Sequence, residues 1–147
     1  MKTKFGVNIT LLRGNHECKN YCNDFKKEIV EKFGLFDCKN LCMKLFAVLP
    51  IATRNKRFLF IHGGLASSLQ TIEDFNEQYG KTRVVDLDTS IGESLWSDPH
   101  YGTKPWIFNR ARHGGVEFSE AVTQDFCRRN GVRGNEEMKS TSKRYTT

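Results

Sequence analysis

Apolar residues near the start of the chain change from a strand-like to a helix-like spacing. Val7-Asn8-Ile9-Thr10-Leu11-Leu12 alternates and then becomes continuously apolar, predicting a short buried strand, and Arg13-Gly14-Asn15-His16 breaks it as a turn. A polar cluster is thereby placed at the strand's carboxyl end. Between Glu17 and Phe33, the residues Tyr21, Phe25, Ile29 and Phe33 recur at helical spacing with Lys and Glu between them. This predicts an amphipathic helix that Gly34 terminates. A second helix is predicted from about Cys38 to Val48, with Leu41, Leu45 and Val48 on one face and Pro50 just beyond.

Ile51-Ala52-Thr53 and Arg57-Phe58-Leu59-Phe60-Ile61 flank the polar turn Arg54-Asn55-Lys56, the pattern of an antiparallel hairpin whose second strand ends at His62-Gly63-Gly64. Ser67 to Asp88 is more polar, with a short helix expected over Thr71–Tyr79. Trp96 to Arg112 reads as loop. Phe118 to Asn130 reads as a helix with Ala121, Val122 and Phe126 packed and Gly131 as its stop, and beyond Gly131 the periodicity disappears. One folded unit over 1–131 and a basic, disordered tail over 132–147 are therefore expected.

Composition narrows the class. An apolar content of 38% over 147 residues supports one folded core. No apolar run approaches the roughly 20 residues needed to span a bilayer, and the start lacks a signal-type apolar core. A soluble protein of the cytoplasm or nucleus, with no membrane partner, is expected. Part of the +6 charge lies at the end, where Arg128, Arg129, Arg133, Lys139, Lys143 and Arg144 outweigh Glu136 and Glu137. No aromatic residue interleaves before Tyr145, so a solvated end rather than a nucleic-acid site is expected. Cys18, Cys22, Cys38 and Cys42 are spaced by four within helical segments, not as C-x-x-C knuckles; reduced thiols are expected, since the spacing matches no common structural zinc pattern.

The two strand ends carry chemistry that suits phosphoryl transfer, which needs cations on the non-bridging oxygens, a positioned nucleophile and a proton donor for the leaving group. Asn15 offers an amide oxygen to a hard metal, His16 an adjacent imidazole acid, and His62 a second neutral ligand. Gly14 allows a tight turn, and Gly63 with Gly64 leaves room for close backbone approach.

Together these segments resemble the phosphoprotein phosphatase family of metal-dependent serine/threonine phosphatases, of calcineurin-like metallophosphoesterase fold. Leu11-Leu12-Arg13-Gly14-Asn15-His16-Glu17 resembles its second phosphoesterase motif and Phe60-Ile61-His62-Gly63-Gly64-Leu65 its third. Leu49-Pro50-Ile51-Ala52, Leu95-Trp96-Ser97-Asp98-Pro99 and Arg112-His113-Gly114-Gly115-Val116-Glu117-Phe118 resemble further landmarks in the same order. The likeness runs from about Asn8 to Gly131. It implies an α/β fold, a partial metallophosphoesterase β-sandwich flanked by helices. It also implies two divalent metal ions (Mn, Fe or Zn), a phosphoprotein substrate and regulatory subunits. By the same resemblance Asn15 and His62 bind the second metal, His16 protonates the leaving serine or threonine oxygen, and Arg112 grips the substrate phosphate, with Arg110 as the competing candidate. Asp98 is implied to brace the loop carrying Trp96, with direct metal ligation as the alternative.

The same resemblance places an Asp-x-His strand and Gly-Asp and Asp-Arg-Gly segments before Asn8, where only seven residues stand, and a metal-binding His after the last helix, whereas no His follows His113. Two divalent ions about 4 Å apart repel by ~17 kcal/mol even at an effective dielectric of about 20. Asn15 and His62, both neutral, do not offset that. The chain is thus expected to be a fragment that hydrolyses weakly or not at all on its own, with His16 lacking the carboxylate that would orient it. The alternative is a non-catalytic phosphatase remnant binding phosphorylated or acidic partners through Arg13, Arg110, Arg112 and the tail. Exposed strand edges are expected to make the isolated chain associate.

Overall fold

Helix signals and strand ladders can be followed through residues 9–18, 21–34, 36–81 and 89–133, the residues described in the computed structural model. The expected strand Val7–Leu12 falls partly outside them. Residues 9–12 join no ladder among the described residues, and the segment is held instead by the Arg13 amide, which donates to the Pro50 carbonyl at 2.8 Å.

Helix α1 (Asn23–Phe33) starts later than Glu17 because the chain up to Cys18 is taken up by the turn around Asn15. It ends as expected at Gly34, whose φ of +60° is left-handed and whose amide bonds the Val30 carbonyl. Helix α2 (Phe36–Val48) packs back on α1 through Phe25 against Phe46, ring centroids 5.3 Å apart, and through the Cys22 thiol on the Met43 sulfur at 3.5 Å. This reverses the simplest reading of its pattern. The Leu41, Leu45 and Val48 stripe faces solvent, with relative exposures of 65%, 52% and 59%.

Strands β1 (Ala52–Asn55) and β2 (Phe58–Ile61) form the predicted antiparallel hairpin, with Ala52 opposite Ile61 and Asn55 opposite Phe58. The turn is Lys56-Arg57 rather than Arg54–Lys56, with Lys56 in the left-handed region at φ 52°. Strand alternation then sends Leu59 and Ile61 against the core and leaves Phe58 and Phe60 half exposed. Behind Gly63 and Gly64 lies an apolar groove of about 510 Å³, bordered by Leu12, Phe60, Pro99 and Phe118.

Helix α3 (Ile72–Lys81) opens on a reciprocal cap: the Asp74 amide donates to the Thr71 hydroxyl while the Asp74 carboxylate accepts from the Gln70 and Thr71 amides. Helix α4 (Ser90–Trp96), not anticipated from the pattern, is capped by Thr89, whose hydroxyl accepts from the Gly92 amide. The segment read as loop contains β3 (Asp98–His100) and β4 (Trp106–Phe108). Both pair with a central β5 (Val116–Ser119), β3 in parallel and β4 antiparallel. Phe118 is therefore a strand residue, opposite Trp106 and Pro99, and not the start of a helix. Helix α5 (Glu120–Asn130) begins after the Ser119 cap and ends at Gly131 as predicted.

The result is a mixed α/β fold with two small sheets and flanking helices. Its core gathers Ile51, Leu65, Leu69, Phe75, Leu95, Phe118 and Phe126, with Phe75 and Phe126 edge to face. Buried Asn130 ties the end of α5 to the start of α3, accepting from the Ile72 amide at 2.8 Å and donating to the Gln70 carbonyl at 3.1 Å. Among the described residues, no helix is long and apolar enough to cross a membrane.

Two glycines separate steric from conformational cost. A Cβ on Gly63 would lie 2.4 Å from the Ser94 carbonyl oxygen and 2.7 Å from Leu95 backbone atoms, whereas one on Gly34 would meet nothing within 4 Å but would sit at φ +60°. Gly63→Ala is expected to lower unfolding free energy by about 1–3 kcal/mol or more, and Gly34→Ala by only about 1–2 kcal/mol. Urea denaturation of the two variants would show whether the Gly63 effect is the larger.

Candidate active site

The turn that carries Asn15 and His16 is braced from both ends. Arg13, 3% exposed, donates from Nε to the Glu17 carbonyl at 3.0 Å, and the Glu17 carboxylate accepts from the Gly14 amide at 2.9 Å. The Glu17 amide in turn bonds the Gly14 carbonyl. Arg13 is therefore a buried brace and not the surface contact for acidic partners that the sequence suggested. Nearby, Cys18 is a packed core thiol; burial pushes it up, and the Arg13 guanidinium only partly opposes this.

Asn15 is buried, and its Oδ1 lies 3.2 Å from Nε2 of His62, which the end of β2 delivers from 47 positions away in sequence. An amide oxygen only accepts, so the tautomer of His62 protonated on Nε2 donates to it, and the tautomer protonated on Nδ1 leaves both atoms with lone pairs turned toward one region. Gly14 makes the approach possible: a Cβ there would stand 3.2 Å from His62 Cε1 and 2.4 Å from the Glu17 carboxylate. His62 itself is fixed by the glycines that follow it. The Gly64 amide donates to the Ser94 carbonyl at 2.8 Å and the Ser94 hydroxyl donates to the Gly64 carbonyl at 2.7 Å, while Gly63 lies flat on the end of α4.

His16 is exposed. Its Nδ1 is 3.1 Å from the Tyr21 carbonyl, which can only accept, so Nδ1 carries a proton and Nε2 is the atom left to exchange one with a ligand. A carbonyl of this chain thus orients the ring, a partner that sequence reasoning did not find. Trp96, at the end of α4, packs on both: its ring centroid is 5.8 Å from His16 and 5.2 Å from Tyr21.

Arg112 and Arg110, equivalent in the sequence, differ in structure. Arg112 forks onto Asp98, Nε to Oδ2 at 2.9 Å and Nη2 to Oδ1 at 3.3 Å. Asn109, 1% exposed, locks the pair by donating to Asp98 Oδ2 at 2.9 Å and to the Trp96 carbonyl, and by accepting from the Arg112 amide at 3.1 Å. Arg110 is exposed and has no such frame. The turn closes with His113 at φ 54° and Gly115 at φ 74°, where Gly115 presses against the Trp96 carbonyl and any Cβ would come within 2.6 Å of it. Asn109 went unnoticed in the sequence, although an Asn three residues before a turn's key amide is a readable local signal.

Donor chemistry decides what the site can hold. Asn15 and His62 supply an amide oxygen and an imidazole nitrogen, which fit part of the shell of a single hard metal ion. Among the described residues no three or more His, Cys, Asp or Glu side chains converge. The Glu17 carboxylate beside this turn is held by the Gly14 amide, and with no cluster of three or more such side chains the described residues do not match the dimetal pair that the resemblance implies.

A turn carrying Asn15 and His16, set against a His-Gly-Gly strand end on helices and small sheets, is the architecture of a metallophosphoesterase. The calcineurin-like phosphoesterase family profile matches residues 1–134, and the chain belongs to that family. It is 32% identical over 132 residues to the serine/threonine-protein phosphatase 6 catalytic subunit of Caenorhabditis elegans, covering 88% of this chain and 39% of that protein. It is 34% identical over 102 residues to the serine/threonine-protein phosphatase 2B catalytic subunit A2 of Saccharomyces cerevisiae, covering 67% of this chain and 17% of that protein. The solved structure of a protein serine/threonine phosphatase from Saccharomyces cerevisiae superposes with a TM-score of 0.77 at 31% identity, over 90% of this chain and 41% of that one. The chain thus spans well under half the length of these relatives and corresponds to part of a phosphatase catalytic domain.

Partial burial pushes the Asp98 carboxyl up, but hydrogen bonds from Arg112 and Asn109 and the Arg112 charge outweigh it and hold the group below the usual carboxylate range. With its folded value depressed, Asp98 contributes stability that is present above the ordinary carboxylate pKa of about 4 and lost as pH falls through the lower folded value. The urea midpoint of the wild type is expected to exceed that of Asp98→Asn at neutral pH, with the gap closing on acidification below about pH 4. A gap that is independent of pH would contradict the pairing.

Proposed function

We propose that this chain forms the leaving-group side of a protein serine/threonine phosphatase site. The observation that carries the reading is the approach of Asn15 Oδ1 and His62 Nε2 to 3.2 Å, with His16 adjacent in sequence to Asn15. Asn15 and His62 would hold a metal ion, which when bound would supply positive charge to the non-bridging oxygens of a phosphoryl group. His16, with Nδ1 committed to the Tyr21 carbonyl, presents Nε2 as the proton donor to a serine or threonine oxygen. Arg112 binds the phosphate with donors not used on Asp98, and Asp98 with Asn109 holds the guanidinium plane. The substrate class, phosphoserine and phosphothreonine in proteins, is carried over from the relatives, which are serine/threonine-protein phosphatases.

The test is a chimaera in which residues 9–133 replace the matching segment of the Caenorhabditis elegans phosphatase 6 catalytic subunit. Phosphopeptide hydrolysis is expected, and His16→Ala is expected to lower kcat by about 10²–10⁴-fold. A folded chimaera whose turnover is unaffected by His16→Ala would refute the assignment.

A second reading, a non-catalytic remnant that binds phosphorylated or acidic partners, is favoured by the neutral donor pair and by the exposed Arg110. Titration of the purified 147-residue chain with a phosphopeptide separates the two. Loss of binding on addition of a chelator is expected for the metal-dependent site, whereas binding that ignores the chelator and weakens with salt supports the remnant.

A further inference from the structure

We propose that the groove beside β2 is a docking site for an extended segment of a partner polypeptide, which adds a strand to the free edge of β2. Asn55 and Phe58 flank the two-residue turn and so exchange hydrogen bonds, and the alternation of an antiparallel ladder then turns the backbone groups of Leu59 and Ile61 away from β1. Among the described residues no strand pairs with that edge. The groove runs along it, about 510 Å³ in volume, with Leu12, Pro99, Phe118 and Phe126 as apolar walls. Amides and carbonyls turned toward an apolar trough offer an incoming strand main-chain bonds for affinity and room for its alternate side chains.

The chain's own sequence leads to this edge but does not suit it. The Arg133 amide donates to the Arg57 carbonyl at 2.7 Å, the first rung of a lane beside β2. Continued from that bond as a parallel strand, the sequence would set Gly134 and Glu136 opposite Leu59 and Ile61. Those two side chains pack against the core, so the glycine would fill nothing and the glutamate would bury a charge. The fitting occupant is a strand of another polypeptide, with apolar β-branched residues at the two alternate positions opposite Leu59 and Ile61. Charge selects its flank. Arg133 is the one charged residue lining the groove among the described residues, and exposed Lys56 and Arg57 stand at the same end, so a carboxylate belongs beside the apolar pair. None of Asn15, His16, His62 or Arg112 lines the groove, so strand docking and the phosphatase site can be lost separately.

The probe for the full 147-residue chain is a fluorescein-labelled peptide, Glu-Thr-Val-Thr-Val-Thr-Glu, followed by anisotropy. Saturable binding is expected, weakened about tenfold or more when the amides of the central Val-Thr-Val are N-methylated, a change made in the probe that leaves the fold of the protein untouched. Arg133→Glu is expected to weaken binding about two- to fivefold, and exchange of both peptide glutamates for lysine to restore it. Cys127 lines the groove and is half-buried, so bound peptide is expected to slow its alkylation, read by mass spectrometry, while Cys38 stays reactive. Absence of saturable binding, equal binding of the N-methylated peptide, or unchanged alkylation of Cys127 would overturn the proposal. A chain that sediments as a dimer, with Cys127 shielded before any peptide is added, would put a second copy in the groove and overturn it as well.

Discussion

Gly64 and Ser94 exchange two hydrogen bonds, amide to carbonyl at 2.8 Å and hydroxyl to carbonyl at 2.7 Å, and the geometry of the site depends on that clasp. It seats the His62-Gly63-Gly64 strand end on the last turn of α4, which is possible only because Gly63 carries no Cβ, while the bare Gly64 leaves room for the Phe118 ring. The same turn of helix then carries Trp96 to His16 and Tyr21, and β3, which follows it, carries Asp98 to Arg112. A seven-residue helix thus connects the Asn15–His62 pair, the His16 imidazole and Arg112. Ser94 and Leu95 are among the most deeply buried residues, so the clasp works where water does not compete for its hydrogen bonds.

Charges within the site are largely spoken for. Arg112 is balanced by Asp98, Arg13 is buried against the Glu17 carbonyl, and Asn15 and His62 bring no formal charge. The surface that faces a ligand is therefore a frame of oriented dipoles and donors with little net field of its own, and an ion or a phosphoryl group would bring most of the charge with it. Family membership is independent of this balance, since it rests on the residue pattern and the fold that the chain shares with phosphatase catalytic domains.

Much of this was legible from spacing alone. Gly34 and Gly131 stop their helices as the pattern requires, the antiparallel hairpin forms as predicted although its turn moves from Arg54–Lys56 to Lys56-Arg57, and Asn15 and His62 meet although 47 positions apart in sequence. What was not legible has physical causes. β3, β4 and β5 are only three or four residues each, too short for alternation to register, and Phe118 joins a strand because partners on both sides claim it. Helix α4 is two turns long and half polar, so its cap at Thr89 was its main signal. The stripe on α2 was visible, but amphipathicity says which residues share a face and not which face meets the core. The Tyr21 carbonyl and Asn109 act through tertiary contacts with no sequence period.

The bond between Asn15 and His62 closes a long loop of chain, and the Ser94 to Gly64 bond closes another across 30 positions. Loop closure of this kind costs entropy before any contact rewards it, and contacts of high sequence separation slow folding. Because both closures share the His62-Gly63-Gly64 strand end, neither donor is placed until the strand has docked on α4. The site therefore forms cooperatively: opening α4 locally removes His62 from Asn15 and Trp96 from His16 together, and a partly folded chain holds no half-built version of it.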